Sequence, residues 1–265
     1  MIVLYLNNNS YVNSTPFEII SNFESLNEII IRFGNVNEYF LHNSFYEIDA
    51  VINIFMVQNQ FTHTVLPQIL NRFQTDTLST KPLTETNELD DRFPNRNSAF
   101  FGVFYPDKYN NNVRHIINVD EYSLFIHHII EKSYSPLFWT LRKTIFPHLS
   151  FCPSTEHGLA CTPCYTDVIA YLIRLEAYLC QKGTITFDWK KMREITGMDI
   201  SLESSQTMGN AFYRSKRVFS LPDGSTEIFS LHLKPKDARI YILHKGGNIY
   251  IGYIGKHLPT IEFPH

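Results

Sequence analysis

Four side chains of the types that bind zinc lie within thirteen residues near the middle of the chain: Cys152, His157, Cys161 and Cys164. Two thiolates separated by two residues can bind one ion from a tight turn, and a nearby histidine and a further cysteine complete a tetrahedral set. The spacing of His157 and Cys161 matches no common zinc finger, and free cysteines often pack as small apolar side chains. The segment therefore predicts either a structural zinc site or buried free cysteines around the start of a helix. A thiol acidified by that helix start is a further reading, but the sequence indicates no base for it.

The last fifth of the chain alternates apolar and polar residues with a period of two, which predicts β-strands. The predicted strands, joined in an antiparallel meander, cover 217–221, 227–234, 238–243 and 248–254. Because successive side chains of a strand point to opposite faces, His232 and Lys234 share one face of their strand. Arg239 and Tyr241 share one face of the next strand for the same reason. The pattern predicts a basic, aromatic face.

Positive charge is concentrated in this segment. Residues 211–265 contain eight Lys and Arg against four Asp and Glu, whereas residues 1–210 contain fifteen against twenty-two, so +4 and −7 give the net charge of −3. This asymmetry indicates either contact with an anionic partner or neutralisation by the acidic part of the same chain. A polar segment just before it, 203–207, has hydroxyls that could meet phosphate or could cap and turn the chain.

The strand residues resemble the C-terminal sheet of RelE-type toxin ribonucleases. The similarity runs through FSLHLKPKDARIYI (229–242) and NIYIGYIGKH (248–257), and it covers about the last 55 residues. In that family a lysine-containing strand precedes a strand that begins with arginine, a hairpin, and a strand that ends in Gly-Lys-Arg or a similar sequence. The resemblance implies metal-independent cleavage of RNA, on or off the ribosome, in a toxin–antitoxin or phage-defence system with an antitoxin as partner.

The resemblance places basic side chains around an RNA phosphate, where they would stabilise the charge that develops as a ribose 2′-hydroxyl attacks phosphorus. Some members use a C-terminal tyrosine as general base, but the last tyrosine here is Tyr253. Because imidazole titrates near neutrality, we expect a histidine to replace it. Aromatic side chains of the strands could stack on bases. The predicted catalytic residues are His232, Lys234, Arg239, Tyr241, Lys256 and His257.

A non-catalytic function fits the same residues. Surface strands often carry Lys and Arg, and a RelE-like sheet could bind RNA or an acidic protein partner without cleaving anything, or serve as a plain scaffold. The sequence contains no phosphate-binding Gly-x-x-x-x-Gly-Lys, no Gly-x-Ser-x-Gly and no His-Glu-x-x-His. Those three enzyme classes therefore lose support.

The elements upstream must position these residues. A helix over 16–33 is predicted to begin at Pro16 and to end before Gly34. The polar stretch 74–98 has no apolar period and predicts a long, mobile loop. The other predicted elements are strands at 2–6 and 100–105, helices at 48–73, 122–145 (interrupted at Pro136) and 168–179, and a strand with a short helix within 184–197.

The chain has 265 residues, of which 44% are hydrophobic and 18% charged, enough apolar surface for a compact fold. We expect an α+β protein with a helical, mixed N-terminal part followed by a C-terminal antiparallel RelE-like sheet. Four cysteines without a disulfide framework indicate a reducing compartment. No signal-peptide pattern or long apolar window occurs, so we expect a cytoplasmic protein without a membrane partner. The expected regions are a mixed region of unknown role (1–150), a Cys-containing loop and helical connector (151–210) and the RelE-like sheet (211–265).

Overall fold

The structure is a computed structural model that describes residues 1–105, 112–132, 134, 136–182 and 187–263. The chain divides into two units, Met1–Ile129 and Ile130–His265. Each unit contains a five-stranded sheet together with helices, which confirms that helices and strands are mixed along the chain.

The sheet of the first unit is parallel throughout, in the strand order β3-β2-β1-β4-β5. Its strands are β1 (Ile2–Leu6), β2 (Asn37–His42), β3 (Phe73–Asp76), β4 (Asn97–Phe101) and β5 (His115–Ile116). The helices are α1 (Pro16–Phe33), α2 (Asp49–Ile54), α3 (Leu66–Leu70), α4 (Thr86–Arg92) and α5 (Val119–Lys132), which continues into the second unit. Parallel neighbours need crossover connections, and α1 provides the one between β1 and β2.

The predicted first strand and first helix are confirmed with the predicted bounds. Pro16 occupies the first helical turn, where its missing N–H is not needed. The Thr15 hydroxyl accepts from the Glu18 backbone N–H at 3.3 Å, and the Glu18 carboxylate accepts from the Thr15 N–H at 2.7 Å. This capping box fixes where α1 begins.

The single helix predicted over 48–73 is wrong, because the chain leaves the helical path after α2 and resumes it before α3. The Asn59 side chain accepts a hydrogen bond from the Thr62 N–H at 2.8 Å, and this contact starts a new helical turn. The apolar spacing continues across the break, so the sequence pattern does not show it.

The long loop predicted over 74–98 is wrong as well, because it contains α4. Glu88 accepts from the backbone N–H groups of Thr84 at 2.6 Å and Glu85 at 3.0 Å. An ion pair of 2.9 Å joins Arg92 to the buried Asp76. The polar residues that suggest a loop are the ones that cap and anchor this helix.

The helix predicted over 122–145 with an interruption at Pro136 is confirmed as two helices, Val119–Lys132 and Pro136–Ile145. Of the strand and short helix predicted within 184–197, the helix is confirmed at Trp189–Thr196, and residues 184–186 lie outside the described residues. No helix of the described residues has both the length and the apolar composition required to cross a bilayer. The helices are α6 (Pro136–Ile145), α7 (Thr155–Cys161), α8 (Tyr165–Lys182), α9 (Trp189–Thr196), α10 (Ser205–Gly209) and α11 (Ala211–Ser215), and the strands are β6 (Leu149–Phe151), β7 (Ile200–Leu202), β8 (Val218–Ser220), β9 (Thr226–Ile228), β10 (Leu231–Leu233), β11 (Arg239–Lys245) and β12 (Asn248–Gly255).

The second sheet has the order β6-β12-β11-β10-β7. Strands β10, β11 and β12 form an antiparallel meander, and β7 pairs antiparallel with β10. Because β6 pairs parallel with β12, the sheet is mixed, and the expectation of a purely antiparallel sheet is wrong. The two outer strands, β6 and β7, both precede residue 211, so they lie outside the segment 211–265 that was expected to form the sheet.

The predicted four-strand meander is also wrong at its first strand, because β8 and β9 pair with each other as a separate ribbon. The Phe229 N–H donates to the Arg217 carbonyl at 2.8 Å, and the fully buried Phe229 side chain interrupts the alternation there. The Phe219 ring of the ribbon stacks on Tyr253 of the sheet at 5.7 Å between ring centroids. The ribbon therefore covers one face of the sheet instead of extending it.

The segment predicted as a Cys-containing loop contains α7, which packs directly on the backbone of β12. A Cβ added at Gly158 would lie 1.9 Å from the Ile254 carbonyl oxygen, so only glycine permits this approach. The Cys152 N–H donates to the Ile251 carbonyl at 2.9 Å. Cys152, at the start of this segment, is therefore held against the sheet.

Candidate functional site

Four of the six predicted catalytic residues line one cavity of the second unit, with a volume of about 270 Å³. The cavity lies beside β7, β10 and β11, and residues 260–263 form another part of its wall. The lining residues that bear hydroxyl or titratable groups on the sheet side are Ser201, Glu203, His232, Lys234, Arg239 and His257.

Strand register explains why these side chains meet. His232 of β10 is paired with Ser201 of β7 on one side and with Tyr241 of β11 on the other. Lys234 lies two residues beyond His232, and Arg239 lies two residues before Tyr241, so alternation directs all of them to the same face. The face that the sequence predicted is confirmed for these residues.

The His232 ring is 5% exposed and lies between a hydroxyl and a carboxylate. Its Nε2 is 3.3 Å from Ser201 Oγ, and its Nδ1 is 3.8 Å from Glu203 Oε1. Burial is the main cause that lowers the pKa of His232 to about 4; the Glu203 carboxylate opposes this shift, and the positive charges of Lys234, Arg239 and His257 contribute to it. His232 is therefore a neutral imidazole at pH 7, able to accept a proton.

The second histidine of the cavity, His257, lies two residues after the end of β12 and is more exposed than His232. Burial, followed by the positive charge of Arg239, lowers the pKa of His257 below its ordinary value of 6.5. The two imidazoles thus share one cavity with the positively charged side chains of Lys234 and Arg239.

The two cations of the cavity differ in how far carboxylates neutralise them. Lys234 Nζ lies 3.9 Å from the exposed carboxylate of Asp199, a long contact in water that neutralises little charge. Arg239 Nη1 donates to the Ala238 carbonyl at 2.7 Å, and within the described ranges Arg239 forms no ion pair. Its buried Nε has no hydrogen-bond partner there either. Arg239 is therefore the cation best placed to receive an anionic group.

A buried ion pair holds Glu203, one of the residues that line the cavity. Arg217 is fully buried, and its Nε lies 2.9 Å from Glu203 Oε1. Arg217 Nη1 also donates to the carbonyls of Tyr213 at 2.9 Å and Pro259 at 2.8 Å. Sequence reasoning did not identify Arg217, because nothing in its local pattern separates it from the surface lysines and arginines beside it.

Two predicted catalytic residues do not line the cavity. Tyr241 is fully buried and donates its hydroxyl to Glu203; burial and the Glu203 carboxylate raise the pKa of Tyr241, so it acts as a support beneath the site. Lys256 is exposed outside the cavity, and its carbonyl accepts from the Tyr253 hydroxyl at 3.1 Å. The structure therefore does not bring Tyr241 and Lys256 into the cavity with the other four predicted residues.

The predicted zinc ligands are not brought together. Cys152 is buried among Leu221, Phe229 and Tyr241, and burial raises the pKa of its thiol to about 11. The exposed Cys161 lies 3.8 Å from the ring of His157 on α7, and Cys164 is buried separately. No three of the four ligand atoms lie within 4.8 Å of one another in this described segment. Of the two predicted alternatives, free cysteines fit this geometry and a zinc site at these four residues does not.

A larger cavity of about 460 Å³ lies in the first unit, where the carboxyl ends of β1 and β4 meet the start of α1. Asparagine and serine side chains dominate its wall, and Glu18 is the one titratable residue among the described residues that line it. The Glu18 carboxylate is already engaged by the capping box of α1. The described lining of this cavity therefore offers no pair of groups for acid–base chemistry.

The two cavities thus differ in the chemistry that they offer, and the one in the second unit combines two imidazoles with two cations and the Glu203 carboxylate. No protein family, curated protein or solved structure matches this chain.

Proposed function

We propose that the chain is a toxin-like RNA endonuclease that cleaves a phosphodiester with its own side chains and without a catalytic metal ion. The observation that carries this proposal is the convergence of His232, Lys234, Arg239 and His257 on one cavity. A residue that accepts a proton, one that returns it and cations for the phosphate are the groups that this reaction requires. The antiparallel meander of β10, β11 and β12, which carries the residues of the sequence resemblance, supports the same proposal.

The proposed reaction uses the nucleophile of the RNA itself. Neutral His232 takes the proton of a ribose 2′-hydroxyl, and the resulting oxygen attacks the adjacent phosphorus. Lys234 and Arg239 stabilise the negative charge that develops on the phosphorane oxygens. Protonated His257 gives a proton to the 5′-oxygen as its bond to phosphorus breaks. The products are a 2′,3′-cyclic phosphate and a 5′-hydroxyl.

Incubation of the purified chain with a short single-stranded RNA in excess EDTA is expected to give fragments that end in 2′,3′-cyclic phosphate. The same sequence with 2′-deoxyribose throughout is expected to bind and remain intact, because it lacks the nucleophile. Gel analysis with end-group mapping measures both outcomes, and ribosome-bound messenger RNA is a parallel substrate. Binding of RNA without cleavage of either free or ribosome-bound RNA would contradict the proposal and favour the alternative, a non-catalytic module for RNA or an acidic protein.

We expect RNA cleavage to have an acid-shifted, bell-shaped pH profile. Below about pH 4 His232 becomes protonated and no longer accepts a proton, so kcat/KM falls. Above the lowered pKa of His257 the proton donor is lost, and kcat/KM falls by about tenfold per pH unit. The maximum therefore lies between these two values, on the acid side of pH 6.5. A profile that rises through pH 7 would exclude these two roles.

A further inference from the structure

A group of three possible metal ligands lies in the second unit, apart from the four residues that the sequence suggested. Glu176 and Cys180 lie four residues apart on α8, so they share one face of the helix. His148 immediately precedes β6. One ligand atom from each of the three residues lies within 4.8 Å of the other two. The pairing of a strand end with a helix face holds these residues in place.

The contacts converge on a single nitrogen atom. His148 Nδ1 is 2.5 Å from Glu176 Oε1 and 3.5 Å from Cys180 Sγ, and Sγ is 3.5 Å from the same Oε1. A catalytic thiol relay needs the thiol and the carboxylate on opposite nitrogens of the imidazole. Here both groups approach the same nitrogen, so the three donor atoms form a triangle around a common point.

Two edges of that triangle match a tetrahedral zinc site, whereas the third, from His148 Nδ1 to Glu176 Oε1, is 2.5 Å against about 3.3 Å for two ligands of one ion. Bond lengths of about 2.3 Å to sulfur and about 2.0 Å to nitrogen or oxygen place the sulfur about 3.5 Å from each of the other two ligands. Both observed distances from Cys180 Sγ are 3.5 Å. We propose that His148, Glu176 and Cys180 bind one Zn²⁺ ion. The His148–Glu176 hydrogen bond opens as the ion enters.

Burial and charge favour the same ion. The side chain of Glu176 is 10% exposed, whereas that of His148 is 50% exposed and Cys180 is exposed, so an ion can reach the donors from solvent. A thiolate and a carboxylate neutralise the two charges of Zn²⁺, and the thiol proton leaves to solvent as the Zn–S bond forms. Three protein ligands leave a fourth position for water, as in zinc sites that perform chemistry.

The test is a titration of the full chain with Co²⁺, which replaces Zn²⁺ and reports a thiolate ligand by its charge-transfer absorption. After dialysis against a chelator and a reductant, the wild type is expected to bind one equivalent with this band, and Zn²⁺ is expected to abolish the band. Cys180→Ser is expected to lose it. Cys161→Ser, which removes an exposed cysteine beside another histidine, is the matched control and is expected to keep it.

Measurements of Zn²⁺ affinity distinguish a residue that binds the ion from a residue that only lies beside it. His148→Gln and Glu176→Gln are each expected to weaken Zn²⁺ binding at least about 100-fold, beyond the loss expected for a residue that only supports a ligand. Circular dichroism of the metal-free variants checks that they fold. A wild type without the thiolate band, or a Cys180→Ser variant that retains it, would overturn the site. This inference does not depend on RNA cleavage, which is assayed in EDTA.

Discussion

Arg239→Ala is expected to reduce kcat/KM for RNA cleavage by about 100- to 1,000-fold, the effect of removing one preorganised donor from a developing negative charge. Arg239 lines the cavity, and it makes no ion pair in the described parts of the chain. Under the proposed function, the substitution therefore removes a charge that faces the phosphate and not one that an ion pair already neutralises. Initial rates on short RNA under subsaturating conditions measure this effect.

Two further measurements make the result specific. Arg193→Ala removes an exposed arginine of α9 and is expected to leave kcat/KM within about threefold, because surface charges are screened by salt. Arg239→Ala is also expected to reduce the slope of log affinity for RNA against log salt by about one, because one phosphate contact is lost. A folded Arg239→Ala variant with cleavage equal to that of Arg193→Ala would show that the cavity is not where RNA is cut.

Arg217→Met is expected to lower the free energy of unfolding by about 3–5 kcal/mol. The substitution leaves the carboxylate of Glu203 buried without its cation, and it also removes the donors to the Tyr213 and Pro259 carbonyls. Glu203→Gln is expected to destabilise for the converse reason, because it leaves a buried guanidinium unpaired. Urea denaturation monitored by circular dichroism measures both changes.

The double variant distinguishes coupling from general damage. Arg217→Met combined with Glu203→Gln is expected to lose less stability than the sum of the single variants, because no buried charge remains unpaired. Glu227→Gln breaks the exposed pair with Lys245 and is expected to change stability by less than about 1 kcal/mol. Strictly additive losses would show that the Arg217–Glu203 contact is not the cause.

The elements that sequence reasoning predicted well are those whose signals are local. Pro16 marks the start of α1, and period-two alternation marks the neighbouring strands β11 and β12. Each signal depends on residues within a few positions of one another, so the sequence displays it directly.

The features that sequence reasoning missed depend on residues far apart in the chain. The parallel sheet of the first unit, and the addition of β6 and β7 to the second sheet, are settled by which strands meet, which no local pattern records. The same holds for the candidate site. Alternation predicted that His232 and Lys234 share a face. Only the fold shows that Lys256 lies outside the cavity and that buried Arg217 pairs with Glu203 of the cavity wall.

The parallel pairing of β6 with β12 has a consequence for how the second unit forms. Leu149 of β6 is in register with Ile249 of β12, 100 residues later in the chain. Contacts between such distant residues require the ordering of a long intervening segment before they gain any free energy, so they are slow to form. Until β6 arrives, the outer edge of β12 has unpaired N–H and C=O groups that can template pairing with another chain. The three-residue strand β6 thus covers, in the folded chain, an edge of β12 that would otherwise be open to pairing with another chain.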